Sequence, residues 1–391
     1  METIPYSRQW IDEEDLQAVC QVLRSDWLTQ GPTVESFENA LAEKASVARA
    51  VAVSNGTAAL HLCYAGMGVK KGSTGITSPI TFAATANALL HCGAEVRFCD
   101  VDPATGLMEP DSLEQTIKQQ KPAGEEVHLV IPVSFAGRLA RLEEIAQISE
   151  AHGFSVVEDA AHSMGAFAKR NEHTLRSASC QHTDASILSF HPVKHICSGE
   201  GGAVLTNDEA LADKIVSLRS HGVERSKASE KSLEKPGWHY EQTDLGWNYR
   251  MTDLQAALGL RQLGKLDSFL ERRRSLAERY HKALAEEPFS EFLEVPAAED
   301  GHAYHLFVIL FRNPAHRDQA YAFLQEQGIR SQVHYIPVYR HPYYASLMGD
   351  IRLPGAESYF SRCLSIPLFP KLTDAEQARA LEQLAAFLGT L

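Results

Sequence analysis

Ala50-Val51-Ala52-Val53-Ser54-Asn55-Gly56-Thr57-Ala58-Ala59-Leu60 joins four apolar residues to a small polar turn and then to the start of a helical pattern. A run that is apolar at every position suits a strand covered on both faces, because a half-exposed strand would alternate. Ser, Asn, Gly and Thr are residues that begin helices. The same unit recurs outward along the chain, with strands expected at 50–53, 75–78, 95–100, 128–133, 155–158, 185–189 and 203–206. Helical patterns such as 57–66 and 142–152 lie between them. This alternation predicts an α/β fold: a mostly parallel seven-stranded sheet with helices on both faces. Ligands of such sheets bind beyond the carboxyl ends of the strands.

At 391 residues the chain exceeds one ordinary hydrophobic core. A large ligand-binding domain with an N-terminal arm is expected over 1–265, and a smaller α+β domain over 266–391. A long helical stretch at 252–285 ends the first block. Strand candidates at 304–311 and 328–335 flank a helix pattern at 317–327, and a last helix covers 374–388. The polar stretch 227–237 reads as an exposed loop. Net charge is −13, from 37 basic and 50 acidic side chains, which argues against nucleic acid as a partner. Arg272-Arg273-Arg274 reads as a solvated helix face. The seven cysteines form no CxxC pair and the seventeen histidines no HExxH-type spacing, so no metal site or disulfide framework is expected. No window approaches the roughly 20 apolar residues of a membrane span, and the first residues lack a signal-peptide pattern. No membrane association and a cytoplasmic location are the expectation.

Four features carry chemistry, each after an expected strand. Lys194 sits in Ser189-Phe190-His191-Pro192-Val193-Lys194, followed by the turn Gly199-Glu200-Gly201-Gly202. A lysine held in such a loop can lose its proton and attack an aldehyde. Asp159 closes Ser155-Val156-Val157-Glu158-Asp159, where a carboxylate can keep a pyridine nitrogen protonated; helix capping is its other reading. Gly56, Thr57 and Ala58 open a helix whose amides suit a phosphate, and Ser189 offers a further hydroxyl. Phe82, in Ser78-Pro79-Ile80-Thr81-Phe82, can stack on a flat ring or fill the core. His162 can orient the cofactor's phenolic oxygen or be a bonded core histidine. The set 57, 82, 159 and 194 points to pyridoxal 5′-phosphate.

Asn55-Gly56-Thr57-Ala58-Ala59-Leu60, Glu158-Asp159-Ala160-Ala161-His162, the Ser189 to Lys194 loop, Gly199-Glu200-Gly201-Gly202-Ala203 and Asn248-Tyr249-Arg250-Met251-Thr252-Asp253 together resemble the nucleotide-sugar aminotransferases of the DegT/DnrJ/EryC1 family. The resemblance implies fold type I of pyridoxal-phosphate enzymes, a homodimer with shared active sites, and pyridoxamine phosphate as the cofactor's amino form. It also implies that Asn248 reaches the cofactor phosphate of the neighbouring subunit. The ends of the chain are similar to the branch of that family in pseudaminic-acid-type pathways, which takes the amino group from L-glutamate and places it on C4 of a UDP-linked 4-keto-6-deoxy-N-acetyl sugar. Tyr6, Asp26, Trp27, Leu28, Thr29, His334 and Tyr335 would then contact the nucleotide sugar, although Trp27 and Tyr335 read equally as packing residues. Three departures touch the sugar side: Ser134 stands where many relatives have histidine, Arg138-Leu139-Ala140 replaces a segment that commonly carries a proline and an acidic residue, and 169–181 is unusually polar. The alternatives are a sugar dehydratase of the same family, which carries histidine at the lysine position, and a transaminase for a dTDP-linked 3- or 4-keto sugar.

Overall fold

Five strands open the sheet: β1 (Arg49–Val53), β2 (Thr74–Thr77), β3 (Glu95–Phe98), β4 (Val127–Ile131) and β5 (Ser155–Asp159). A hairpin of β6 (Phe167–Arg170) and β7 (His173–Arg176) follows, then β8 (Ala185–Ser189) and β9 (Gly202–Thr206). In this computed structural model, which describes residues 2–120, 127–170, 173–224 and 238–391, the seven-stranded order is β1-β9-β8-β5-β4-β2-β3. The expected loop at 227–237 lies outside the described residues. Strands β3, β2, β4, β5 and β8 run parallel, and β9 is antiparallel to both its neighbours. Every position of β9, and the last four of β1 and of β5, is buried. That burial is why β9 and β1 read as nearly continuous apolar runs; β5 instead ends in the buried carboxylates Glu158 and Asp159.

The helical stretch expected at 252–285 is two helices, Asp253–Gly264 and Leu266–Leu284. They meet at Lys265, whose ammonium pairs with Asp12 and Asp15 near the start of helix Glu13–Leu23. The arginine triplet is not a solvated face. Arg273 is 1% exposed, and its guanidinium donates to the carbonyls of Tyr304, His305 and Leu368. Burial pushes it down to about 9. Arg272 bonds Asp374, and Arg274 donates to the His302 carbonyl. The triplet thus ties one helix to three other segments, which its sequence alone does not reveal.

A short pair, β10 (Val223–Glu224) with β11 (Glu241–Gln242), precedes an antiparallel sheet of β12 (Leu293–Glu294), β13 (Phe307–Phe311) and β14 (Cys363–Ile366). No strand forms at 328–335; instead Ile329 bridges Ile4 and Gln332 bridges Ser365. Helix Ala315–Glu326 matches the expected pattern, and Asp374–Leu388 starts at a Thr373/Glu376 capping box. Helices Pro342–Met348 and Pro354–Arg362, each begun by a proline, are additions to the sequence reading.

We propose the division 1–265 and 266–391, with the N-terminal arm crossing it. Ile4 is buried among Leu276, Tyr280, Phe307 and Leu384, and the Ser7 hydroxyl donates to the Val193 carbonyl at 3.3 Å. Among the described residues no helix is long and apolar enough to cross a membrane.

Candidate active site

The helix Gly56–Gly66 begins where β1 ends. Asn55 caps it, its Oδ1 accepting the Ala58 N–H at 2.8 Å. First-turn amides have no partner inside the helix. Since Ala58 is engaged by the cap, Gly56 and Thr57 are the donors of this turn left without a partner among the described residues. Ser189, at the end of β8, lies against it. A Cβ built on Gly56 would stand 3.0 Å from the Ser189 Cβ and 3.2 Å from its Oγ. A Cβ on Gly202 would stand 2.6 Å from the Asn55 carbonyl. Glycine at both positions keeps a concave backbone with a hydroxyl at its rim, which is what a phosphate needs. The segment 248–250 runs alongside, with the Ser54 N–H donating to the Tyr249 carbonyl. Asn248 itself is exposed.

Successive side chains of a strand point to opposite faces, so Glu158 and Asp159 part ways. Glu158 is fully buried and accepts from the hydroxyls of Ser134 (2.6 Å), Ser177 (2.9 Å) and Ser186 (3.2 Å) and from the Ala178 N–H (2.8 Å). Four donors satisfy a carboxylate that burial raises above its usual range. This accounts for two departures from the family pattern: Ser134 and the polar segment after β7 are the partners of Glu158. Asp159 is buried too. Its Oδ2 accepts the Thr85 hydroxyl at 2.7 Å and its Oδ1 the Ala161 N–H at 3.1 Å. Residues 161–165 form a turn rather than a helix, so the capping reading falls away. Burial raises the Asp159 carboxyl, opposed by the two hydrogen bonds and by the charge of Lys194.

Lys194 is half-buried, its N–H fixed on the His191 carbonyl. Its ammonium has no hydrogen-bond or ion-pair partner among the described residues. Burial pushes it down to about 8, against the pull of Asp159. Around it stand aromatic and imidazole rings. Phe82 is 62% exposed, so it is not a core residue; its ring lies 6.3 Å from that of Tyr335. The Tyr335 hydroxyl is 3.3 Å from His162 Nε2. His162 Nδ1 is buried without a partner, and His305 packs on the same ring at 4.2 Å. Tyr6 lies 5.3 Å from His334, which is hydrogen-bonded to Ser365 and pushed down to about 3, first by burial and then by Lys194.

An open aromatic face, a buried carboxylate, an orphaned imidazole nitrogen, a phosphate-shaped backbone turn and an unpartnered amine fit a flat phosphorylated pyridine aldehyde. The structure brings Tyr6, His334 and Tyr335 to the same wall. It does not bring Asp26, Trp27, Leu28 and Thr29 there. That stretch is tied to the start of helix Asp253–Gly264, where Leu28 accepts the Asp253 N–H and Thr29 bridges Thr252. Trp27 is 55% exposed, so it is not a packing residue either. Sequence reading missed Thr85, three residues after Phe82, and the serines that satisfy Glu158.

The DegT/DnrJ/EryC1/StrS aminotransferase family matches residues 9–385. The chain belongs to this family. It is 37% identical over 389 residues to the spore coat polysaccharide biosynthesis protein SpsC of Bacillus subtilis, covering 97% of this chain and 95% of that one. It is 35% identical to the UDP-4-amino-4,6-dideoxy-N-acetyl-beta-L-altrosamine transaminase of Campylobacter jejuni, covering 93% and 92%. Among solved structures, Helicobacter pylori PseC, an aminotransferase involved in the biosynthesis of pseudoaminic acid, superposes with a TM-score of 0.89 at 28% identity over all of both chains. The PLP form of the sugar aminotransferase Spr1654 from Streptococcus pneumoniae gives 0.87 at 26%, covering 99% of each. The chain is therefore a pyridoxal-phosphate-dependent sugar aminotransferase of fold type I.

Two expectations follow for this aminotransferase. Only the free amine of Lys194 can attack an aldehyde, and its value near 8 lies far below an ordinary lysine. The rate at which cofactor-free protein takes up pyridoxal phosphate should therefore rise with pH through about 8 and then level off. Stopped-flow absorbance at a series of pH values measures this; a rate still climbing at about pH 10 would contradict it. Separately, Thr85→Val removes the hydroxyl that holds Asp159. A hydrogen bond to a charged group contributes about 1.5–3 kcal/mol, so kcat should fall roughly ten- to a hundredfold, with Thr85→Ser restoring it.

Proposed function

We propose that this aminotransferase moves an amino group from L-glutamate to C4 of a UDP-linked 4-keto-6-deoxy-N-acetyl sugar, as in pseudaminic-acid-type pathways, and that it does so as a cytoplasmic homodimer. The observation that carries this reading is the wall of Tyr6, His334 and Tyr335 beside Lys194. Its rings are neutral at pH 7, since burial raises both tyrosines and holds His334 near 3. Neutral aromatic faces with a few donors suit a sugar ring better than a charged amino acid. The similarity to the Campylobacter jejuni transaminase, whose name specifies a UDP-linked 4-amino-4,6-dideoxy-N-acetyl sugar, supports the same assignment.

When bound, the cofactor ring supplies the electron sink at the substrate carbon. Lys194 would hold the cofactor covalently and, once freed, would carry the proton at the substrate carbon. Asp159 keeps the ring nitrogen protonated. Gly56, Thr57 and Ser189 would take the phosphate, whereas the Ala58 N–H, also expected there, is held by the Asn55 cap; Phe82 would cover one ring face and His162 would face the phenolic oxygen. The exposed Asp26, Trp27, Leu28, Thr29 and Asn248 serve the neighbouring subunit's site. Incubation with glutamate and a panel of UDP- and dTDP-linked 3- and 4-keto sugars, followed by mass spectrometry, tests the reading. A 4-amino UDP sugar formed with stoichiometric 2-oxoglutarate is expected. Turnover confined to dTDP sugars, or loss of water from the sugar without 2-oxoglutarate, would replace it.

A further inference from the structure

Away from the aldehyde-binding lysine, three side chains from separate segments converge. Glu143 lies in the first turn of helix Leu142–His152, His173 begins β7, and His182 follows β7 in the connection to β8. The Nε2 of His173 is 3.0 Å from Glu143 Oε1, and the Nε2 of His182 is 3.8 Å from the same oxygen. All three ligand atoms fall within 4.8 Å of one another. Donor atoms about 2.0–2.1 Å from a tetrahedral ion stand roughly 3.3 Å apart, so both measured edges are within about half an ångström of that spacing. The other oxygen of Glu143 accepts from Arg170 Nε at 3.2 Å. Such a bond orients a ligating carboxylate without occupying its metal-facing lone pair. Glu143 and His182 are each about a third exposed or less and His173 is open, which leaves a fourth position for water.

We propose that Glu143, His173 and His182 form a binding site for a divalent late transition metal of the zinc type. Two imidazoles and one carboxylate are the ligand set such borderline ions take, whereas calcium or magnesium would want oxygen throughout. The ion links the β6–β7 hairpin to helix Leu142–His152. The chain between His173 and His182 includes Ser177 and Ala178, both of which donate to Glu158 next to Asp159. The metal thus staples the segment that fixes the end of β5. This site is independent of the sugar assignment and touches no residue of the pocket.

Tag-free holoenzyme titrated with cobalt(II) chloride, followed by visible d–d absorption and displaced by zinc chloride, tests the proposal. About one equivalent should bind with tetrahedral-type bands. His173→Ala and His182→Ala should each weaken binding roughly tenfold or more, while His152→Ala leaves it unchanged. Circular dichroism checks that each variant is folded, and Glu143→Gln provides a second route to the same loss. The proposal is overturned if the parent takes up no cobalt at this stoichiometry, or if His173→Ala and His182→Ala bind as the parent does. The second result would mean that the three residues form only hydrogen-bonded ion pairs.

Discussion

Lys194→Ala is expected to abolish transamination while leaving the protein folded. The loss should be at least about a thousandfold in kcat, because one amine serves both as the attachment point and as the proton carrier. Folding should survive, since the ammonium has no hydrogen-bond or ion-pair partner among the described residues and its charge is disfavoured by burial. Removing it relieves a desolvation penalty, and although Asp159 loses the pull of a nearby charge, Thr85 and Ala161 still hold that carboxylate. Borohydride treatment of the parent followed by peptide mapping should find the cofactor on Lys194. The variant should bind pyridoxal phosphate non-covalently through the cradle, without the trapped adduct. Turnover in Lys194→Ala, or an adduct on another lysine, would end the assignment.

The second large effect is expected at Asp159. Asp159→Asn keeps the shape and removes the charge. The new amide oxygen can accept the Ala161 N–H, and the amide nitrogen can donate to Thr85 Oγ1. Thr85 can then turn its own proton to Thr81 Oγ1, only 2.9 Å away. Packing should therefore persist while the ring nitrogen loses its counter-charge. Loss of a preorganised electrostatic partner typically lowers kcat by roughly 10²–10³-fold. The measurement is kcat beside the pH titration of the cofactor's absorption, which should shift with the lost charge; a change of less than about threefold in kcat would remove Asp159 from the mechanism.

The parts of the fold that the sequence discloses are those with simple burial. β8 is read to the residue and the other six strands of the sheet to within two; most are closed on both faces, while β3 alternates exposed and buried positions. The segment 328–335 deceives because its order comes from single bridges to Ile4 and Ser365, far away in sequence. The break at Lys265 is equally hidden, since it depends on acidic partners at 12 and 15. In the pocket, Asp159, His162, His334 and Tyr335 gather around the amine, whereas 26–29 lie elsewhere, against the start of helix Asp253–Gly264. What escapes the sequence is support: Thr85 beneath Asp159, and the serines under Glu158, whose value lies only in three-dimensional placement. The metal-type cluster shows the same limit. Ligands at 143, 173 and 182 have no spacing that a motif would capture.

The docking of Ile4 has a consequence for biosynthesis. A ribosome makes this residue well before Leu384 and Leu388, which belong to the apolar shell that receives it. Tyr6 and Ser7, which follow it, reach the pocket wall and the lysine loop. A nascent polypeptide therefore lacks one side of its reaction chamber until the segment around Leu384 has been made, and the stretch from Ile4 to Ser7 must wait in solvent for it.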